Sequence, residues 1–435
     1  MKISWFKENI SPEVGAYLAG YSLVDKSEAK LDDLFAHGVC LDDGSRKVLM
    51  VSFDLLGLDE WYIKDLRKKC ADLLQVPESA VMFSCTHTHT GPETRTLASA
   101  PQQLYGAYLE KLADLILNAV KNLPPFKECS VKFYSTTCDE NRNRRYSSGD
   151  NHATFTPHRR EFVEIRNGFA DKELGVVWFA DAESGLPLYV IGNYAAHPLA
   201  GHSPGIGGRR ISADFPGAFR EYVSRNTGAE TMFVSGAAGN MVPKEDELGD
   251  EAARSMGVHL GKEAIGGVIE SGRNPARYAF PEAQLGHAIS TFTVPLRKSY
   301  RNVAKKLPAP YMGKDDVTLE VQTISIGDVA FVGVPGELCA ELGQEIKWHS
   351  PFRRTFIAYN STAYFSYICP ANFLVAGGYE AVSQRFGARG GLKLVNCAVD
   401  MLFDLHESLF PSAPDDPYPE SNITPLVNIL PNRLP

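Results

Sequence analysis

The sequence predicts an α/β fold, a mixed, largely parallel β-sheet core flanked by helices. Apolar runs of strand length recur along the chain, and the segments between them carry apolar residues at helical spacing. The first clear unit reads strand, helix, strand, an order that favours a parallel pair with the helix on one face. With 435 residues the chain is long enough to bury a sizeable core.

The elements follow in order. Gly15 to Tyr21 mixes glycine with apolar residues and predicts a tight, partly buried entry segment. Val48 to Phe53 is a continuous apolar run followed by Asp54. Ile63, Leu66, Cys70 and Leu73 share a helix face between Glu60 and Leu74, and Val81 to Cys85 is the next strand. Leu104, Tyr108, Leu112, Ile116 and Val120 mark an amphipathic helix from Leu104 to Leu123, ended by Pro124-Pro125. Ser130 to Tyr134 predicts a strand, and Asp139 to Arg160 a polar loop containing the arginine run Asn141 to Tyr146. Leu174 to Ala180 and Leu188 to Tyr194 predict a hairpin, and a Gly-rich substrate loop from Gly201 to Arg210 precedes a helix near Asp214. Thr231 to Val234 is a short strand that runs into the small-residue loop Ser235 to Pro243. Val329 to Val334 is a buried strand, with Pro335 and Glu337 expected in the first turn of a following helix. Thr355 to Tyr359 is one more strand, and Gly391 to Leu409 a closing helix.

Composition excludes several classes. A net charge of -8 opposes general affinity for nucleic acid or anionic membrane. No apolar run is long enough for stable membrane insertion, and the N-terminus lacks a signal-peptide core, so a cytoplasmic location is expected. The cysteines are scattered without C-x-x-C spacing and predict reduced, mostly buried thiols. Domain organisation is expected as a catalytic domain over 1–409 and a Pro-rich extended tail over 410–435, an arm lying on this subunit or, in a homo-oligomer, on a neighbouring one.

The chemistry gathers at strand ends. In C-T-H-T-H-T-G-P, His87 and His89 stand two apart just after Val81 to Cys85, which in extended geometry puts both imidazoles on one side, about 6–7 Å apart. An isolated H-x-H reads equally as an ordinary edge strand. His197 follows the second hairpin strand, Glu337 follows Val329 to Val334, and the polar aromatic loop with Tyr364 and Tyr367 follows Thr355 to Tyr359. Strands that share a direction bring such ends to one crevice, and imidazoles with a carboxylate there suit zinc. The glycines of Ser235 to Pro243 suit close backbone approach to a ligand, an oxyanion contact or a plain turn.

The motifs C-T-H-T-H-T-G-P, N-Y-A-A-H-P, V-P-G-E, and S-Y-I-C-P with the tyrosine of G-G-Y-E twelve positions beyond its own resemble the neutral ceramidase family. The resemblance covers the chain up to about Leu409. It implies a zinc ion held by His87, His197, Glu337 and Tyr367, with His89 moving protons, Tyr379 holding the oxyanion, and Arg142 facing the substrate. Asn240, in the loop Ser235 to Pro243, is expected as a further substrate contact. Val242 stands where the family has a serine, and no C-terminal immunoglobulin-like domain follows.

The implied activity is cleavage of an N-acyl amide bond by zinc-bound hydroxide, a step in lipid metabolism, on a small-molecule substrate. Two other readings stay open: a zinc hydrolase of a different small polar amide, ester or N-acyl sugar, and a non-catalytic metal-binding scaffold.

Overall fold

The computed structural model describes residues 1–20, 25–95, 106–147, 153–154, 168–201, 209–244, 249–274, 283–299 and 309–411. The first strands are β1 (Lys2–Asn9), β2 (Phe35–Asp42) and β3 (Lys47–Phe53), followed by α1 (Glu60–Leu74) and β4 (Val81–Cys85). Next come α2 (Gly106–Lys121), β5 (Lys127–Thr137), β6 (Glu173–Asp181), β7 (Pro187–Tyr194), α3 (Asp214–Thr227), β8 (Glu230–Ser235) and α4 (Asp250–Arg273). The chain continues through β9 (Leu285–Pro295), β10 (Asp316–Ile326), β11 (Val329–Gly333), α5 (Ala340–His349), β12 (Arg354–Ala358) and α6 (Gly390–Leu409).

An eight-stranded sheet has the order β8-β7-β6-β5-β1-β2-β3-β4, and a four-stranded sheet the order β9-β10-β11-β12. The large sheet is mixed, with parallel pairs at its two ends, β7 with β8 and β3 with β4. Between them the pairs are antiparallel, so the expected largely parallel character is corrected. The cause is short connections: β2–β3 and β6–β7 are joined by tight turns, which leave no chain for a crossover. The α/β class and the β3-α1-β4 parallel unit stand.

The apolar run Val48 to Phe53 is continuous because β3 is buried on both faces. Val48 and Met50 join the core shared by the inner faces of both sheets. Leu49, Val51 and Phe53 pack outward against Leu66 and Cys70 of α1 and Leu112 and Ile116 of α2. Phe215 and Phe219 of α3, with Met256 and Leu260 of α4, cover β6–β8. Leu342 and Ile346 of α5, with Leu394, Ala398 and Leu402 of α6, cover the small sheet.

The carboxyl ends of β4, β7, β8 and β12 meet. Asn193 at the end of β7 donates to the carbonyls of Val234 and Ile357, each at 2.9 Å. Ser235 donates to the Thr86 carbonyl at 2.8 Å, and the Tyr359 amide donates to the Ser235 carbonyl at 2.9 Å. The cysteines described are free thiols, all buried but Cys397. Among the described residues no helix is long and apolar enough to cross a membrane. Tyr21, Leu104, most of the expected 201–210 loop, much of the Asp139 to Arg160 loop and the tail from residue 412 lie outside the described residues.

Candidate metal centre

β4 ends at Cys85, and the next two amides still reach carbonyls of the neighbouring segment: Thr86 to Phe53 at 2.8 Å and His87 to Leu55 at 2.9 Å. His87 then takes a left-handed conformation, φ 74°, which is costly for a residue with a Cβ and persists only where surroundings enforce it. The turn draws His87 and His89 closer than an extended strand does. Their ring centroids lie 4.9 Å apart and their Nε2 atoms 3.3 Å apart. The alternate threonines face the other way: Thr88 and Thr90 donate to the Ser212 carbonyl at 2.7 and 2.8 Å, and Thr86 donates to Asp54 at 3.3 Å.

His197 enters from beyond β7, its ring centroid 4.8 Å from that of His87. One ligand atom from each of His87, His89 and His197 lies within 4.8 Å of the others. Backbone carbonyls fix two of the tautomers, because a carbonyl only accepts. His87 Nδ1 donates to Leu56 O at 2.7 Å, with Asn360 against the same nitrogen, and His197 Nδ1 donates to Met241 O at 3.0 Å. Both therefore turn an Nε2 lone pair toward the cluster. Burial, and then the Arg144 charge, lower the His197 pKa to about 4. Burial and the neighbouring imidazoles His87 and His197 hold that of His89 well below its ordinary value. His197 and His89 are accordingly neutral at pH 7.

Glu337 is not in a helix. It opens a two-residue strand, Glu337–Leu338, paired in parallel with Tyr367–Ile368, and α5 starts only at Ala340. The reason is local: the Glu337 amide donates to the Ser366 carbonyl at 2.9 Å, which holds the segment extended. Glu337 and Tyr367 are register partners, so their side chains leave on the same face. The carboxylate Oε2 lies 3.4 Å from His87 Nε2 and 3.3 Å from His197 Nε2. Tyr364 donates to Oε1 at 2.7 Å and Tyr359 to Oε2 at 3.2 Å. Burial raises the Glu337 pKa, but His87 and His197 outweigh it and hold the carboxyl well below the usual range.

The fourth candidate ligand, Tyr367, receives a hydrogen bond from Arg144 at 2.9 Å. Arg144 is fixed by Glu380 at 2.8 Å and by the Gly239 carbonyl at 3.0 Å, and Glu380 also binds Arg145 at 3.0 Å. Gly239 has no room for a side chain, since a Cβ there would meet the Glu337 carbonyl at 2.6 Å. Tyr379 stands at the mouth, its ring 5.4 Å from that of Tyr367 and 43% exposed.

Arg142 lies half-buried in the strand Asn141–Asn143, paired with Val242. Arg144 is the guanidinium that touches a candidate ligand. Asn240 is fully buried, and its amide accepts from the Ala340 amide at 2.9 Å and donates to Glu341 at 2.8 Å. Its side chain clamps the loop to α5. In the same loop the amides of Gly236, Gly239 and Met241 donate to the carbonyls of Tyr194, Leu338 and Ala238. Tyr359, Tyr364, Arg144 and Glu380 were not given roles by sequence. Tyr359 had the signal in full view, being the first residue beyond β12.

No protein-family model and no curated protein sequence matches the chain. Solved structures do. A neutral ceramidase from Pseudomonas aeruginosa superposes with a TM-score of 0.74 at 18% identity, over 94% of this chain and 74% of that one. A ceramidase complexed with C2 gives 0.75 at 16%, over 94% and 75%. The fold is that of the neutral ceramidases. Within this ceramidase-type fold the histidine cluster suits a metal ion, because imidazoles meet there with a carboxylate at hand and backbone carbonyls have already chosen the tautomers of His87 and His197.

Proposed function

We propose that the protein is a zinc-dependent hydrolase of N-acyl amide bonds, a ceramidase-type enzyme. The observation that carries the reading is the buried Glu337 carboxylate, within 3.4 Å of both His87 Nε2 and His197 Nε2. His87, His197, Glu337 and Tyr367 hold the ion. When bound, zinc polarises a carbonyl and lowers the pKa of water toward neutrality. His89 takes the proton of the attacking water and returns it to the departing nitrogen. Tyr379, at the mouth, donates to the oxyanion, and such a contact typically contributes about 3 kcal/mol. Arg142 meets the polar part of the substrate, while Arg144 and Glu380 keep Tyr367 in place.

Elemental analysis of the purified protein is expected to find about one zinc per chain, lost in His197→Ala and in Glu337→Gln. His89→Ala is expected to keep the metal and lose most turnover on a panel of N-acyl substrates of graded chain length. A metal-free wild type, or activity that survives chelation, overturns the proposal. The tight grouping of all three imidazoles supports a second reading, in which His89 is itself a ligand. Loss of metal from His89→Ala would favour it.

A further inference from the structure

The two oxygens of the Glu337 carboxylate have different neighbours. Oε2 faces His87 Nε2 and His197 Nε2, at 3.4 and 3.3 Å, and accepts from Tyr359 at 3.2 Å. Oε1 accepts from Tyr364 at 2.7 Å, the shorter and stronger of the two hydroxyl bonds. Glu337 is 1% exposed, so its oxygens depend on donors from the protein, and leaving one of them bare in such a place is costly.

Tyr364 is itself held in place. Its amide donates to the Leu58 carbonyl at 2.9 Å, which ties the loop after β12 to the segment that leads into α1. Gly57 lies against the ring: a Cβ there would meet Tyr364 Cδ2 at 2.6 Å, so a glycine is what lets the ring come so close. The His87 ring stacks on it, with centroids 6.0 Å apart and planes 29° apart. The Arg95 guanidinium lies 5.6 Å from the ring centroid and is fixed in turn by Glu93 at 2.7 Å. The phenol is thus the fixed member of the pair, and the carboxylate is the one that adjusts.

We propose that Tyr364 is a positioning residue, whose hydroxyl holds Oε1 so that Glu337 offers the imidazoles one oxygen, Oε2, and not both. Tyr359 does not serve the same end, because its longer bond goes to Oε2 itself. The geometry stands by itself, and its purpose rests on the metal reading above: a carboxylate with both oxygens turned inward would take up room beside His87 and His197 that water and a substrate carbonyl need.

The test compares Tyr364→Phe, which keeps the ring and removes the hydroxyl, with Tyr359→Phe. In crystals of the metal-free proteins the Glu337 carboxylate is expected to turn out of its wild-type plane in Tyr364→Phe and to stay in it in Tyr359→Phe. Zinc affinity, measured by competition with a chromophoric chelator, is expected to fall roughly ten- to a hundredfold in Tyr364→Phe and less in Tyr359→Phe. An unmoved carboxylate in Tyr364→Phe overturns the proposal, and so does zinc affinity equal to that of wild type. Equal effects in the two variants also overturn it, since the loss of any buried hydroxyl beside Glu337 would give that. A wild type that takes up no zinc overturns the hydrolase reading instead, and the carboxylate's position then decides the role of Tyr364.

Discussion

Gly20 shows how tightly single residues control the centre. It has φ 101°, and a Cβ there would sit 2.3 Å from His89 Nδ1. On the proposed mechanism Gly20→Ala is expected to push the His89 ring aside and cut turnover roughly a hundredfold while leaving metal content unchanged. Unaltered turnover in that variant would show that the position of His89 does not matter. At this scale the sequence was partly legible. His87, His197, Glu337 and Tyr367 are far apart in the chain yet come together, because each follows a strand that ends at the same crevice. Arg144 was not legible: in N-R-N-R-R-Y every arginine carries the same charge, and although Glu380 binds both Arg144 and Arg145, only Arg144 reaches Tyr367.

Among elements, α3 carries its own pH response. Asp214, at its first turn, is buried and accepts from the amides of Gly201 and Phe215 at 2.9 and 2.7 Å, yet burial still raises its pKa to about 6. A pKa raised in the folded state favours folding at low pH and withdraws that advantage as pH rises through the folded value. The stability of wild type relative to Asp214→Asn is therefore expected to fall by roughly 2–3 kcal/mol between about pH 4 and pH 7. Urea unfolding of the two proteins across that range checks it, and a constant difference would refute it. In α2, Ile116 is fully buried against β3 and β4, and Ile116→Ala is expected to cost about 2–5 kcal/mol in the same assay. Helices of this kind were readable because their apolar stripes have a clear period. The long strands β1, β9 and β10 were not, since β9, with half its length open to solvent, reads L-G-H-A-I-S-T-F-T-V-P without a clean alternation.

For the whole molecule, the α/β class was visible in the apolar runs, whereas the balance of parallel and antiparallel pairs was not. That balance depends on which strands neighbour one another, and the pairing of β1 with both β2 and β5 has no local signature. Under the proposed metal-bound state, a centre whose candidate ligands come from so many separated segments is also expected to be stabilised by the ion. Chelation should lower the melting temperature, with about 4 kcal/mol at stake where free metal exceeds its dissociation constant a thousandfold. Calorimetric scans with and without chelator measure this, and identical scans would mean that the ion contributes nothing to folding.

The threonines of T-H-T-H hang from Asp54 and from the Ser212 carbonyl, and Asp32 in turn accepts from the Ser212 hydroxyl at 2.6 Å. One ribbon of backbone is thus a dividing wall, with imidazoles papering one side and hydroxyls nailed to the other. Thr88→Val, which removes a nail without touching an imidazole, should loosen the wall and blur the spacing of the rings it carries.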